Sequence, residues 1–265
     1  VIVFSDKVCA WINKSTGETT TLPLPSERII AIEGGMNGKG SIIYLQSPFR
    51  AGGKGGMFIS NDMGKSWKQV NNGLSRESYK DMLPSFRQAL AVCESKPEVA
   101  YISIDFPREN ASGVFDPLYC IYKTEDAGEN WLPVLVSSSF EGYLTKNFSG
   151  AWMEVSYDPG WGGSPIDMGA APGNPDVCYA GDNGRGYKTA DGGKTWIQLY
   201  SHNNPDKSYT STGLDVTTCY GIHFDPFNRD HFFISYTDIG LFHTFSAGKS
   251  WFHSINGIPR SWQNT

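Results

Sequence analysis

One eight-residue pattern occurs four times in this chain, and it limits the fold more than any other feature. Ser60-Asn61-Asp62-Met63-Gly64-Lys65-Ser66-Trp67, Thr124-Glu125-Asp126-Ala127-Gly128-Glu129-Asn130-Trp131 and Thr189-Ala190-Asp191-Gly192-Gly193-Lys194-Thr195-Trp196 share one frame. It is a hydroxyl residue, Asp two positions on, Gly two after that, and Trp three after the Gly. Thr244-Phe245-Ser246-Ala247-Gly248-Lys249-Ser250-Trp251 repeats it with Ser246 in the aspartate place. Gly64, Gly128, Gly193 and Gly248 lie 64, 65 and 55 residues apart. Recurrence at such a period marks a repeat architecture.

Each copy sits between two short strand-like runs, such as residues 186–189 and 196–199, so the motif reads as the turn of a β-hairpin. An Asp carboxylate accepts hydrogen bonds from backbone N–H groups just ahead of it. The Gly supplies a positive φ that other residues enter only at a cost. The Trp opens the next strand with a large apolar surface to bury against a neighbouring sheet. All of this is structural chemistry, and the motif aspartates read as turn locks, not catalytic groups.

These residues resemble the Asp-box (BNR) repeat, S/T-x-D-x-G-x-x-W, of sialidases, xyloglucanase-type endoglucanases and sortilin-like receptors. The resemblance covers the four boxes and the strands around them, about Ser41 to Ser254. It implies an all-β fold, a β-propeller of four-stranded antiparallel blades with Asp-box hairpin turns. It does not imply an activity, because enzymes and receptors share the repeat.

Length and composition agree. A chain of 265 residues can bury a sizeable core. Helical periodicity is poor, while 30 Gly, 14% aromatics and short alternating runs favour strands. A net charge of −5 with no basic run argues against nucleic acid as a partner. No apolar stretch approaches the ~18 residues of a membrane span. The five cysteines (Cys9, Cys93, Cys120, Cys178, Cys219) have no metal-ligand spacing, and four lie in apolar runs, so buried free thiols are expected. The five histidines show no zinc-site spacing, so neither metal nor cofactor is expected. The run Gly52-Gly53-Lys54-Gly55-Gly56 lacks the phosphate-loop spacing and a following helix, and reads as a hairpin.

The repeat divides the chain into approximate blades at 1–24 (partial), 25–74, 86–136, 165–200 and 219–255. Rings of ~50-residue units usually hold more blades than these, and a ring must close to remove its edges. The chain begins at Val1 and stops at Thr265 where a new blade should start. A fragment of a larger propeller is therefore expected, completed by the remainder of a longer chain. The alternatives are a compact ring or a ring closed by another chain.

Loop lengths separate two faces. Turns from strand one to two and three to four are short, and include the boxes. The two-to-three turns and inter-blade links hold the long segments 47–55, 71–87, 106–118, 137–167 and 200–218. Long loops without secondary structure of their own are uncommon unless functional. The functional face is thus expected opposite the boxes, where the family resemblance also places it.

Glycoside hydrolysis needs a carboxylic acid and a carboxylate about 5–10 Å apart. Asp105, Asp182 and Asp238 hold equivalent places after strand two, and Asp182 with Asp238 is the expected catalytic pair. Asp215 and Glu154 lie in inter-blade links, while Arg185 and Arg108 suit an acidic sugar or surface ion pairs. Trp152 and Trp161 suit stacking on a pyranose or packing between blades. Asp182-Asn183-Gly184 is also a plain turn sequence. The Phe/Tyr-Arg-Ile-Pro motif of sialidases is absent from the sequence. The leading expectation is a secreted or cell-envelope glycoside hydrolase acting on a glycan or polysaccharide. The competing readings are a sortilin-like or adhesin-like binding propeller, and a polysaccharide lyase in which Tyr220 and His223 would act.

Overall fold

A computed structural model describes residues 1–75, 77–153, 163–213, 219–237 and 239–258. The described chain is all β apart from short helical turns, and its sheets succeed one another in sequence. The first is three-stranded: β1 (Ile2–Phe4), β2 (Cys9–Ile12) and β3 (Thr19–Thr21). The second is an antiparallel meander of β4 (Ala31–Asn37), β5 (Gly40–Arg50), β6 (Lys54–Ser60) and β7 (Lys68–Gln69). The third runs β8 (Ser85–Val92), β9 (Ala100–Phe106), β10 (Leu118–Thr124), β11 (Leu132–Ser138) and β12 (Gly142–Tyr143).

In the fourth sheet β13 (Phe148–Ser149) lies parallel to the outer strand of a four-stranded meander. That meander is β14 (Asp167–Ala171), β15 (Asn174–Gly181), β16 (Gly186–Thr189) and β17 (Trp196–Gln198). A separate hairpin, β18 (Ser201–Asn203) and β19 (Tyr209–Ser211), precedes the last sheet. The last sheet is β20 (Cys219–Phe224), β21 (Phe232–Tyr236), β22 (Gly240–Thr244) and β23 (Phe252–His253).

Three links differ from the sequence expectation. The link at 137–167 carries β12 and β13, and the link at 200–218 carries the β18–β19 hairpin, so neither is structureless. The turn expected over 47–55 shrinks to Ala51–Gly53, because β5 and β6 extend past a register shift between Ser47 and Arg50. Gly52, Gly53, Gly55 and Gly56 all have positive φ there, which lets the two strands cross tightly.

The four motifs fold alike. In the third copy the Gly193 N–H donates to Thr189 Oγ1 (2.8 Å), and that hydroxyl donates to Asp191 Oδ1 (2.9 Å). Asp191 also accepts from the Thr195 N–H (2.9 Å) and the Thr195 hydroxyl (2.6 Å). The same bonds form around Asp62 and Asp126, with Asn130 Nδ2 standing in for the last hydroxyl. In the fourth copy the Ser246 hydroxyl takes the carboxylate's place, accepting from the Ser250 N–H at 3.0 Å. Two residues in succession adopt positive φ: the motif Gly and the residue before it, which is Met63, Ala127, Gly192 or Ala247.

The tryptophan that closes each of the first three motifs joins its sheet to the sheet before it. Trp131 Nε1 donates to Val70 O (2.9 Å), Trp196 Nε1 to Val134 O (3.2 Å) and Trp67 Nε1 to Pro23 O (2.8 Å). Pro23 and Val70 lie just past β3 and β7, the outer strands of their sheets, and Val134 lies on β11. The motif glycines lie against the same strands. A Cβ built on Gly64, Gly128 or Gly193 would meet Leu22, Val70 or Val134 at 2.7, 2.8 or 2.7 Å. Trp131 and Trp196 are fully buried. Covering an indole, roughly 150–250 Å², is worth about 4–6 kcal/mol as an upper bound.

Between the seated sheets lie the cores. Cys9, Leu22, Leu45 and Phe58 fill the space between the first and second sheets. Tyr44, Met57, Leu90, Ile102 and Trp131 fill that between the second and third, and Tyr101, Ile121, Cys178, Tyr187 and Trp196 that between the third and fourth. β9 is therefore buried on both faces, whereas β20 exposes Tyr220, Ile222 and Phe224. All five cysteines are free; Cys9, Cys93, Cys120 and Cys178 are buried and Cys219 is exposed.

Gly193→Ala should destabilise the protein by about 2–4 kcal/mol, since it adds a strained φ and a contact with Val134. Gly173→Ala, where the new Cβ meets nothing within 4 Å, should change stability by less than ~0.5 kcal/mol. Urea denaturation of both variants checks the pair.

Candidate functional site

The ends of the strands opposite the motif turns carry three arginine–carboxylate clusters. The first joins the third sheet to the segment entering the fourth. Asp105 is the penultimate residue of β9, and its Oδ2 accepts from Arg87 Nε (2.9 Å) and lies 2.7 Å from Arg87 Nη2. Arg87 sits on β8 inside the register shift between Phe86 and Leu90. Its Nε also donates to Ser164 Oγ (3.1 Å). Asp105 Oδ1 is buried and makes no hydrogen bond among the described residues. Burial raises the Asp105 pKa, outweighing the nearby Ser164 hydroxyl and the Arg87 charge, which both lower it. The Arg87 side chain is 48% exposed, so this cluster reaches solvent through its guanidinium.

A second cluster closes the turn between β15 and β16. Asp182 Oδ1 accepts from the Gly184 N–H (3.0 Å) and the Arg185 N–H (2.8 Å), so it does cap its own turn. Its Oδ2 accepts from Arg185 Nε (2.9 Å) and Nη2 (2.6 Å), and Arg185 Nη1 donates to the Tyr143 hydroxyl (2.9 Å). The Asp182 side chain is 0% exposed and that of Arg185 2%. In this arrangement neither group is presented to a ligand in solvent. The third cluster lies in the 107–117 connection. There Arg108 Nη2 bonds Glu141 Oε2 (2.6 Å) and approaches Asp116 Oδ2 (3.4 Å). Its bond to Arg108 lowers the Glu141 pKa.

The expected site residues thus separate. Asp105, Arg108, Asp182 and Arg185 all lie at the loop-rich ends of the third and fourth sheets, in three clusters and not one. Trp152 is buried against Tyr200, Phe242 and His253 and belongs to none of the three clusters. Tyr220 is exposed on β20. Glu154, Trp161, Asp215 and Asp238 lie outside the described residues, so the expected pairing of Asp182 with Asp238 has no described geometry. No group of three or more potential metal ligands occurs among the described residues. None of their helices is long and apolar enough to cross a membrane.

Sequence reasoning missed Arg87, Ser164 and Glu33. The first two depend on contacts across strands that no local motif encodes. Glu33 had a visible signal, a lone acid after the apolar run Ile29-Ile30-Ala31-Ile32 that leads into β4. It lines a cavity of about 490 Å³ with Ile2, Phe4 and Ile43. Burial raises its pKa to about 7; the Val92 N–H lowers it, while Asp167 and Glu94 raise it further.

A carboxyl held protonated by the fold stabilises less once the unfolded chain ionises. Stability should therefore fall between the unfolded pKa, near 4.5, and about 7, by roughly 2–3 kcal/mol. Glu33→Gln should remove that slope, which denaturation midpoints measured from pH 4 to 8 will show.

No protein-family model matches the chain, and no curated protein matches it. Solved structures of similar outline include a GH74 enzyme of Niastella koreensis, 13% identical with a TM-score of 0.43, over 91% of this chain and 38% of that one. A nutrient binding protein of Bacteroides ovatus is 8% identical with a TM-score of 0.43, over 94% and 52% of the two chains. YCF48 from Cyanidioschyzon merolae is 12% identical with a TM-score of 0.38, over 88% and 87%. The chain spans 38% and 37% of the length of two GH74 enzymes it resembles in outline.

Proposed function

We propose that this chain acts on carbohydrate as a glycoside hydrolase, with its site on the loop-rich face and its sheets serving as blades of a propeller. The observation that supports this is Asp105. A carboxyl with a raised pKa, one unbonded oxygen and a solvent-facing arginine beside it suits a general acid. Hydrolysis needs a second carboxylate about 5–10 Å away. Asp238 is the proposed partner, because it comes after β21 in sequence as Asp105 comes near the end of β9. Asp182, tied into its own turn and to Arg185, is a positioning group in this reading. A polysaccharide substrate places the protein outside the cytoplasm, secreted or in the cell envelope. The four boxes and their resemblance to the Asp-box repeat support the blade arrangement.

One observation favours the binding-propeller reading. Each of Asp105, Asp182 and Asp116 has an arginine as neighbour, which suits recognition more than proton transfer. Assay of the native protein against a panel of plant and bacterial polysaccharides separates the two. Cleavage that falls at least ~100-fold in Asp105→Asn, with circular dichroism unchanged, supports the hydrolase. Binding without cleavage supports the receptor, and an unsaturated product absorbing in the near ultraviolet supports the lyase. Full activity in Asp105→Asn would remove Asp105 from the mechanism.

A further inference from the structure

A second cavity, away from Asp105, lies between the β18–β19 hairpin and the last sheet. Its volume is about 190 Å³. Trp152, Tyr209, Tyr236, Phe242 and Trp251 form its walls, and Ser201 borders it. The rings brace one another edge to face: Trp152 and Phe242 have centroids 5.1 Å apart at 80°, and Tyr236 and Phe242 5.9 Å at 85°. The hairpin that carries Ser201 and Tyr209 is fixed on both sides. Tyr209 and Trp251 exchange two backbone hydrogen bonds of 2.6 Å. Gln198 grips Ser201, its Oε1 accepting from the Ser201 N–H (2.9 Å) and its Nε2 donating to the Ser201 O (2.5 Å). The walls are thus held in place before any ligand arrives.

Two features define what would fit. An apolar cavity of about 150 Å³ accepts one benzene ring, so 190 Å³ corresponds to one six-membered ring with small substituents. Ser201 is only 5% exposed, and its hydroxyl has no hydrogen-bond partner among the described residues. A buried hydroxyl left unmatched is costly, so a ligand with a hydroxyl of its own gains where a bare arene does not. Among the described residues no charged side chain lines the cavity. Aromatic walls attract the polarised C–H groups on one face of a sugar ring through their negative π faces. Aromatic and apolar walls with a few placed polar groups are the usual make-up of a small-molecule site.

We propose that this cavity is a binding pocket for one uncharged pyranose ring, with Ser201 Oγ as its buried hydrogen-bond partner and Trp152 and Trp251 as its stacking walls. The pocket rests on the carbohydrate reading, yet none of its residues belongs to the Asp105 cluster. It would hold one ring of a glycan through apolar and hydroxyl contacts, while the Arg87–Asp105 cluster of the third sheet holds another part.

Methyl glucoside, methyl galactoside and methyl xyloside are the probes, read by tryptophan fluorescence and by ligand-observed NMR. At least one should bind saturably to the native protein. Ser201→Ala should weaken that binding about fivefold, the usual worth of one hydrogen bond, and Ser201→Leu should abolish it by filling the space. Benzyl alcohol and choline serve as comparison ligands. Saturable binding of either, with none of the three glycosides, overturns the proposal, as does binding of no probe at all, which would leave the cavity to water. Unchanged glycoside affinity in Ser201→Ala also overturns it, even if the leucine variant fails to fold. Asp105→Asn should keep glycoside binding. Glycoside binding by a native protein that cleaves nothing overturns the hydrolase reading alone, and cleavage without glycoside binding overturns the pocket alone.

Discussion

The packing of this protein depends on the contact between each of the first three motif turns and the late strands of the sheet before it. An indole N–H reaches a backbone carbonyl while a glycine with no side chain lets Leu22, Val70 or Val134 press against the turn. The two halves need each other. A side chain on the glycine would push the turn away, and without the turn the tryptophan would have no fixed direction from which to donate. The motif Asp serves both by holding the turn with three hydrogen bonds, which also depress its own pKa. The fourth copy departs from the rule. Gly248 meets only Phe232 and Trp251, at 3.6 Å, and Trp251 pairs its backbone with Tyr209 of the inserted hairpin. The last sheet is therefore seated on an insertion, and the aromatic cavity lies where that seat is incomplete.

The four turns and the strands around them were legible because each role in the motif needs a particular residue. Only a carboxylate or hydroxyl accepts the N–H groups, only glycine enters the close contact, and only tryptophan spans to the next sheet while donating. The second positive φ was not legible, because Met63 and Ala127 carry no mark of it. The short strands β12, β13, β18 and β19 were hidden for a related reason. β12 and β13 pair with larger sheets, and the β18–β19 hairpin is tied by its Tyr209–Trp251 bridge, so tertiary contact and not local pattern decides them.

The candidate site was legible in its location and less so in its residues. Asp182 and Asp105 hold the same place after strand two, and sequence alone treats them alike. The difference lies in their partners. Asp182 meets Arg185 three residues on, inside one tight turn, and the pair withdraws from solvent. Asp105 meets Arg87 from a neighbouring strand, where the arginine sits inside a register shift, and one carboxylate oxygen is unbonded among the described residues. A turn residue and a candidate acid thus share one sequence environment, and cross-strand geometry separates them.

The direction of the inter-sheet contact has a consequence for how the molecule is assembled during synthesis. Every acceptor strand precedes its donor tryptophan in the chain: Pro23 before Trp67, Val70 before Trp131, Val134 before Trp196. The surface a sheet needs has therefore left the ribosome before the sheet itself is complete. Packing chiefly between successive sheets also gives the described stack a nearly one-dimensional cooperativity. Each of the second, third and fourth sheets can then settle on a surface already made.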